Sequence, residues 1–151
     1  MKLLIGFLIT GHDDFSTGLK TSLDMIAGEQ EKLEIVPFKE NMSLETFSSH
    51  LKEAVERLNE DEEGVIIFSD LLGGTPFRIS MLLTSEFEDI EVLTGTNLPM
   101  ILEAISLRSS NSNIESLVQD IIQIGVESIK NPKVDLSNES DNLDDSVEDG
   151  I

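Results

Sequence analysis

The sequence predicts an α/β domain: a doubly wound, mainly parallel four-stranded sheet with helices on both faces. Three observations carry this. Apolar runs at residues 3–9 and 65–69 do not alternate with polar residues, as expected of strands covered on both faces. The segments between such runs place apolar residues three and four apart, the stripe of a helix packed on one side. The two patterns follow each other as β-α-β-α-β-α-β-α-α, and strands that alternate with helices imply parallel pairing through right-handed crossovers.

Each element has its own signals. The first strand, residues 3–9, runs into Thr10-Gly11-His12, read as a glycine turn. A helix over residues 16–27 follows, with Phe15, Leu19, Leu23 and Ile26 on one face and Gly28 as its stop. Residues 33–38 form a second strand, and Pro37 marks it as an edge strand or a strand end. Ser43 caps a helix whose apolar stripe is Leu44, Phe47, Leu51, Ala54, Val55 and Leu58; His50 flanks that stripe and needs no function there. After an acidic loop, Gly64 opens the third strand, which ends at Asp70. Thr75 is read as the N-cap and Pro76 as the first residue of the next helix. Residues 90–93 make the fourth strand, closed by Gly95, and Asn97 and Pro99 start a short helix. Ser112 and Glu115 have capping-box spacing before the last helix, whose apolar face is Ile114, Leu117, Val118, Ile121 and Ile122. Gly125 ends or thins that helix, residues 127–133 read as a frayed helix end or a short edge strand, and Pro132 stops regular structure. Four parallel strands leave exposed edges, which a dimer or an added strand would cover.

Composition narrows the function. The chain has 151 residues, 39% of them hydrophobic, enough for one domain with its own core over residues 1–133. There is no cysteine, which removes disulfides, thiolate chemistry and zinc fingers, and two histidines argue against a histidine metal site. No run is long enough to span a bilayer, and the apolar start lacks a cleavage-site pattern, so a cytoplasmic protein is expected. The formal net charge of −20 argues against nucleic-acid binding and favours basic partners. Seven of those charges lie in residues 134–151, which read as an acidic, disordered tail.

In an open parallel sheet the ligand site lies beyond the carboxyl ends of the strands, at the switch in strand order. The first strand delivers Thr10, Gly11, His12, Asp13 and Asp14 there; the third delivers Ser69, Asp70, Gly73, Gly74 and Thr75; the fourth delivers Thr94, Gly95, Thr96 and Asn97. His12 and Asp70 suit each other. A carboxylate that accepts from one ring nitrogen fixes the tautomer and leaves the other nitrogen as a nucleophile. The Gly-Gly-Thr-Pro turn supplies backbone N–H groups and a helix N-terminus, both fitted to an oxyanion. Nucleophile, orienting group and anion cradle make a phosphoryl-transfer site that demands no cofactor and no metal.

The segments Ile9-Thr10-Gly11-His12, Gly28-Glu29-Gln30, Ser69-Asp70-Leu71-Leu72-Gly73-Gly74-Thr75-Pro76-Phe77 and Gly95-Thr96-Asn97-Leu98-Pro99-Met100 resemble the EIIA component of the bacterial phosphoenolpyruvate-dependent sugar phosphotransferase system, mannose family. The likeness covers residues 1–130, and the stretch from Gly18-Leu19-Lys20 through Gly28-Glu29-Gln30-Glu31 is most similar to the N-acetylgalactosamine and glycosaminoglycan-disaccharide branch. The resemblance implies a homodimer that exchanges a C-terminal strand, with residues 127–133 as the candidate. It implies that His12 takes a phosphoryl group from the system's phospho-histidine phosphocarrier protein and passes it to an EIIB component, and so reaches the membrane only through the permease. Asp70 matches the family's histidine partner, and Thr75 a family Ser/Thr near the phosphoryl group; Gly73, Gly74, Thr10 and Gly11 complete the expected phosphoryl-binding set. Two positions depart from the pattern. Asp13, followed by Asp14, stands where the family usually has glycine, and Arg78 where it commonly has asparagine. Carboxylates beside an incoming phosphoryl group oppose it if they point inward. Either the two aspartates face solvent, or transfer is slowed, or a partner adds positive charge; Arg78 either offsets them or lies on the helix surface.

Three other readings remain open at this level. A magnesium-dependent receiver domain would use Asp13 and Asp14 for the metal, Asp70 as phospho-acceptor and Thr94 beside it, although no fifth parallel strand precedes Lys130. A flavodoxin-like nucleotide or flavin module lacks its glycine fingerprint after the first strand. A degenerate EIIA would bind partners without transferring phosphoryl, because of Asp13.

Overall fold

The computed structural model describes residues 3–133. Four strands, β1 (Gly6–His12), β2 (Leu33–Phe38), β3 (Val65–Phe68) and β4 (Ile90–Leu93), form one parallel sheet in the order β2-β1-β3-β4. Five helices connect and follow them: α1 (Phe15–Ala27), α2 (Leu44–Leu58), α3 (Thr75–Leu83), α4 (Leu98–Leu107) and α5 (Ile114–Glu127). The order reverses between β1 and β3: the chain goes from β1 outward to β2, then returns past β1 to β3. The carboxyl ends of β1 and β3 therefore flank the switch point, where a ligand crevice is expected. β2 is an edge strand, which suits Pro37.

The non-alternating strand runs find their explanation in two cores. Phe7, Ile9, Ile66, Phe68 and Leu93 point to one face, under α1, α4 and α5, with Leu23, Met100, Ile101, Leu117 and Ile121. Leu8, Val65, Ile67 and Ile90 point to the other, under α2 and α3, with Phe47, Leu51, Val55 and Leu83. Neighbouring positions thus serve opposite layers, and no polar residue is tolerated between them. Gly125 lies inside α5, where a Cβ would come within 3.2 Å of Met100 Sδ; its missing side chain lets α5 close onto α4.

A buried arginine ties the end of the sheet away from the switch point. Arg108, 4% exposed, donates to the carbonyls of Ile5 and Lys32 at 3.0 Å each and to that of Glu31, and its guanidinium lies 4.4 Å from the centre of the Phe7 ring. Burial pushes its pKa down to about 10, with Glu31 pulling the other way, and the side chain stays charged at neutral pH.

Several boundaries differ from expectation. β1 begins at Gly6 and runs through His12, so Thr10-Gly11-His12 is strand rather than turn. The cause is β2, whose Pro37 and Phe38 extend the pairing to Gly11 and His12. The cap of α3 is Gly74, with Thr75 already helical, and the cap of α5 is Asn113, which accepts from the Ser116 N–H, rather than Ser112. Leu44 is 57% exposed and stands outside the α2 stripe. In residues 127–133, Glu127 ends α5, no strand follows, and residues 132 and 133 are helical. Pro132 is itself helical, so it does not stop regular structure. The acidic tail, residues 134–151, lies outside the described residues.

Candidate functional site

The carboxyl ends of β1 and β3 bring His12 and Asp70 into direct contact. Asp70 Oδ2 accepts from the His12 backbone N–H at 2.9 Å and lies 2.7 Å from His12 Nδ1. Asp70 Oδ1 accepts from the Leu71 N–H at 2.9 Å. Burial pushes the Asp70 carboxyl up, but the hydrogen bonds from the His12 backbone, the His12 ring and the Leu71 backbone outweigh it and hold the group below the usual aspartate value. A carboxylate only accepts, so Nδ1 carries the proton toward it and the neutral ring keeps its lone pair on Nε2. The His12 side chain is 48% exposed, which presents that nitrogen at the surface. Phe38, its register partner on β2, supports the ring edge-on at 6.2 Å between centroids.

The glycines around the pair are there for space. A Cβ on Gly11 would meet Phe15 Cδ1 at 2.6 Å and Asp70 Cγ at 3.0 Å, so any larger residue would push Asp70 off the histidine. A Cβ on Gly74 would stand 2.7 Å from His12 Cε1 and 3.4 Å from Nε2. The start of α3 is thus packed against the Cε1–Nε2 edge of the ring. Gly74 caps α3 without a side-chain hydrogen bond, and Pro76 has no N–H, so the free donors of the first turn are those of Thr75 and Phe77. They join the positive end of the helix dipole beside Nε2. Gly73, at φ 89°, makes the left-handed step that brings the loop round.

Other predicted residues take structural places. The Thr10 hydroxyl is buried and donates to the Val36 carbonyl at 2.6 Å, which joins β1 to β2 below the histidine. Ser69 and Thr96 do the same for β3 and β4, donating to the carbonyls of Leu93 and Ser69 at 3.0 and 2.7 Å. Asn97 caps α4 by accepting from the Met100 N–H at 3.1 Å, and its amide donates to the Gly125 carbonyl at 3.1 Å. His50 is exposed on α2.

Asp13 and Asp14 face solvent and share one lysine. Lys39 bonds Asp14 Oδ1 and lies 3.5 Å from Asp13 Oδ1. Arg78 is exposed and forms none of the ion pairs found among the described residues. Lys39 is the residue the sequence reading passed over. Its signal was positional: it follows β2 directly, and the strand beside β1 must end beside His12. Asp13 stands at φ 49°, a left-handed conformation that glycine adopts more easily. Among the described residues no three histidine or acidic side chains converge as metal ligands. Asp70 is engaged by His12, while Asp13 and Asp14 are engaged by Lys39.

Among the described residues no helix is long and apolar enough to cross a membrane. A sequence profile described as EIIA-man, the PTS system fructose IIA component, matches residues 6–122. The chain is 31% identical to the fructose-specific EIIA component of Bacillus subtilis (strain 168) over 136 residues, 86% of this chain and 92% of that protein. It is 27% identical to the mannose-specific EIIAB component of Escherichia coli (strain K12) over 85% of this chain but only 39% of that longer protein. The crystal structure of the phosphotransferase-system component EIIA from Streptococcus agalactiae superposes with a TM-score of 0.76 at 34% identity, covering 87% of this chain and 99% of that one.

Proposed function

The chain belongs to the EIIA-man family of phosphotransferase-system components, with a phosphocarrier role in that system, and from that premise we propose that His12 is its phospho-acceptor. What supports this reading above all is the 2.7 Å contact between His12 Nδ1 and Asp70 Oδ2, with the start of α3 against the Nε2 edge of the ring. The donor is the phospho-histidine of a phosphocarrier protein and the acceptor a histidine of an EIIB component.

The step balances without a cofactor. The Nε2 lone pair of neutral His12 attacks phosphorus, and a P–N bond forms. The P–N bond to the donor ring breaks, and its electron pair returns to the donor nitrogen. The positive charge leaves the donor ring and appears on that of His12, where Asp70 faces the Nδ1–H and stabilises it. No net proton is taken up. In this reading the Thr75 and Phe77 N–H groups and the α3 dipole receive the phosphoryl oxygens. Transfer to EIIB runs the same step in reverse, from His12 outward. The names of two relatives carry different sugars, fructose and mannose. That fits a protein that handles the phosphoryl group and not the sugar. The stretch nearest the N-acetylgalactosamine branch runs through most of α1 and past its end, where Gln30 donates to the Ala27 and Gly28 carbonyls.

A homodimer belongs to the same reading. β4 is an edge strand, and Ile122, Val126 and Ile129 near the end of the described chain are 43%, 67% and 78% exposed. Covering them would remove both an unpaired edge and an apolar patch. Light scattering on the purified chain tests this; a monomer at all concentrations refutes it.

The test of the site is intact-mass spectrometry after incubation with phosphoenolpyruvate, the system's first enzyme and the phosphocarrier protein. One added phosphoryl, labile to acid, stable to base and absent in His12→Ala, is the expected result. Uptake that survives His12→Ala, or that requires His50, refutes it. Uptake from acetyl phosphate with magnesium at Asp70 would instead support a receiver-type switch.

A further inference from the structure

The two aspartates after His12 ought to repel a phosphoryl group, yet the fold places a cation on both of them. Lys39 follows Phe38, the register partner of His12. The Asp13 N–H donates to the Phe38 carbonyl at 2.8 Å, which pins the start of the Asp13-Asp14 turn against the end of β2, directly before Lys39. The ammonium then spans both carboxylates at the rim of the site. We propose that Lys39 is a positioning residue of the phosphoryl-transfer site: it holds Asp13 and Asp14 together and offsets their charge, so that His12 can receive an anionic group. The proposal rests on the reading of His12 as phospho-acceptor.

The physical grounds are these. The charged groups at the rim include Asp13, Asp14 and Lys39, with Asp70 behind the ring and Arg78 exposed one turn into α3. Without Lys39 the two rim carboxylates face an incoming dianion uncompensated; with it they present one net negative charge and a donor. The Asp14 hydrogen bond, followed by the charges of Asp14 and Asp13, holds the Lys39 pKa above its usual value against desolvation, so the cation persists at neutral pH. All three side chains are well exposed, at 44%, 70% and 69% for Lys39, Asp13 and Asp14, so the bridge contributes little to folding stability. Its effect falls on charge at the site. The left-handed backbone at Asp13 fixes where the carboxylate emerges, and Lys39, just past the end of β2, meets it.

Two small electrophiles separate charge from access. Phosphoramidate is anionic: its P–N bond breaks, ammonia leaves with the electron pair, and Nε2 forms the new P–N bond. Diethyl pyrocarbonate is neutral. Modification of His12 by each is followed by peptide mass spectrometry at a pH where free imidazole is neutral. The proteins are wild type, Lys39→Gln and Lys39→Arg, plus Lys39→Gln in an Asp13→Asn/Asp14→Asn background. At low salt Lys39→Gln should take phosphoryl from phosphoramidate about three- to tenfold more slowly, with the gap closing as salt rises. Its reaction with diethyl pyrocarbonate and its Tm should match wild type, Lys39→Arg should retain the wild-type rates, and the double asparagine background should erase the Lys39→Gln defect. Equal slowing with both reagents, no slowing with phosphoramidate, or a defect that persists in the asparagine background overturns the proposal. So does a wild-type His12 that reacts with diethyl pyrocarbonate but never with phosphoramidate. Wild-type protein that takes phosphoryl from phosphoramidate but none from the phosphocarrier protein overturns the phosphocarrier reading and leaves the role of Lys39 decided by the small-molecule comparison.

Discussion

Replacing Asp70 by asparagine keeps the shape of the side chain and removes its charge. In the wild-type protein Oδ2 accepts two hydrogen bonds from His12, at 2.9 and 2.7 Å, and Oδ1 accepts one from Leu71, at 2.9 Å. An amide has one acceptor atom and one donor atom, so it cannot serve both sides. If its oxygen faces His12, its NH₂ meets the Leu71 N–H; if it flips, its NH₂ meets His12 and drives the ring proton to Nε2, where the nucleophile should be. Either way the imidazolium formed during transfer loses its carboxylate. A hydrogen bond to a charged group is worth about 2–3 kcal/mol, so phosphoryl acceptance should slow roughly 30- to 150-fold. Rapid-quench sampling with intact-mass detection, donor in excess, reads this directly. A rate within threefold of wild type refutes the assignment of Asp70. The same variant should also change acid unfolding. A carboxyl held below its usual pKa adds stability that is complete above the unfolded value and is lost as pH falls through the lower, folded value. Asp70→Asn should therefore show a shallower loss of stability in acid, and an unchanged acid limb by urea titration contradicts the hydrogen-bonded geometry.

Two more substitutions probe the surroundings. Gly74→Ala would put a methyl 2.7 Å from His12 Cε1 at a φ of −78°, which alanine adopts freely. It should cut the rate of phosphoryl uptake at least about tenfold with less than about 1 kcal/mol of stability change; a wild-type rate would mean that the start of α3 does not guard Nε2. Arg108→Ala strands the buried carbonyls of Ile5, Lys32 and Glu31. It should cost about 3–5 kcal/mol in urea unfolding with phosphoryl uptake unchanged in the folded fraction, and a cost below about 1 kcal/mol would show that water replaces the guanidinium.

The site was legible as a pairing of positions before it was visible as geometry. His12 after an apolar run and Asp70 after another are both strand-end residues, and parallel strands bring such ends to the same side. Gly74 was legible only as part of a flexible turn; that it is glycine because the imidazole lies against it required the fold. The Thr10 hydroxyl, expected near phosphate, turns to the Val36 carbonyl because a buried hydroxyl takes the acceptor within reach. Thr75 and Ser112 each have the chemistry of a cap but stand one residue from the true ones, since neighbouring Gly74 and Asn113 satisfy the same first-turn requirement.

The sequence by itself determined the number and type of elements, the two-faced burial of the strands, the caps at Ser43 and Asn97, and the end of the sheet at which His12 and Asp70 lie. Those properties are local: they follow from side-chain period and from the hydrogen-bonding needs of helix ends. Only the tertiary structure decided that β2 extends β1 through His12, that residues 127–133 hold no strand in the single chain, and that Lys39 rather than Arg78 meets Asp13 and Asp14. Each of these depends on which strand lies beside which, a non-local choice. No window of neighbouring residues contains both Asp13 and Lys39; the crossover through α1 brings them together.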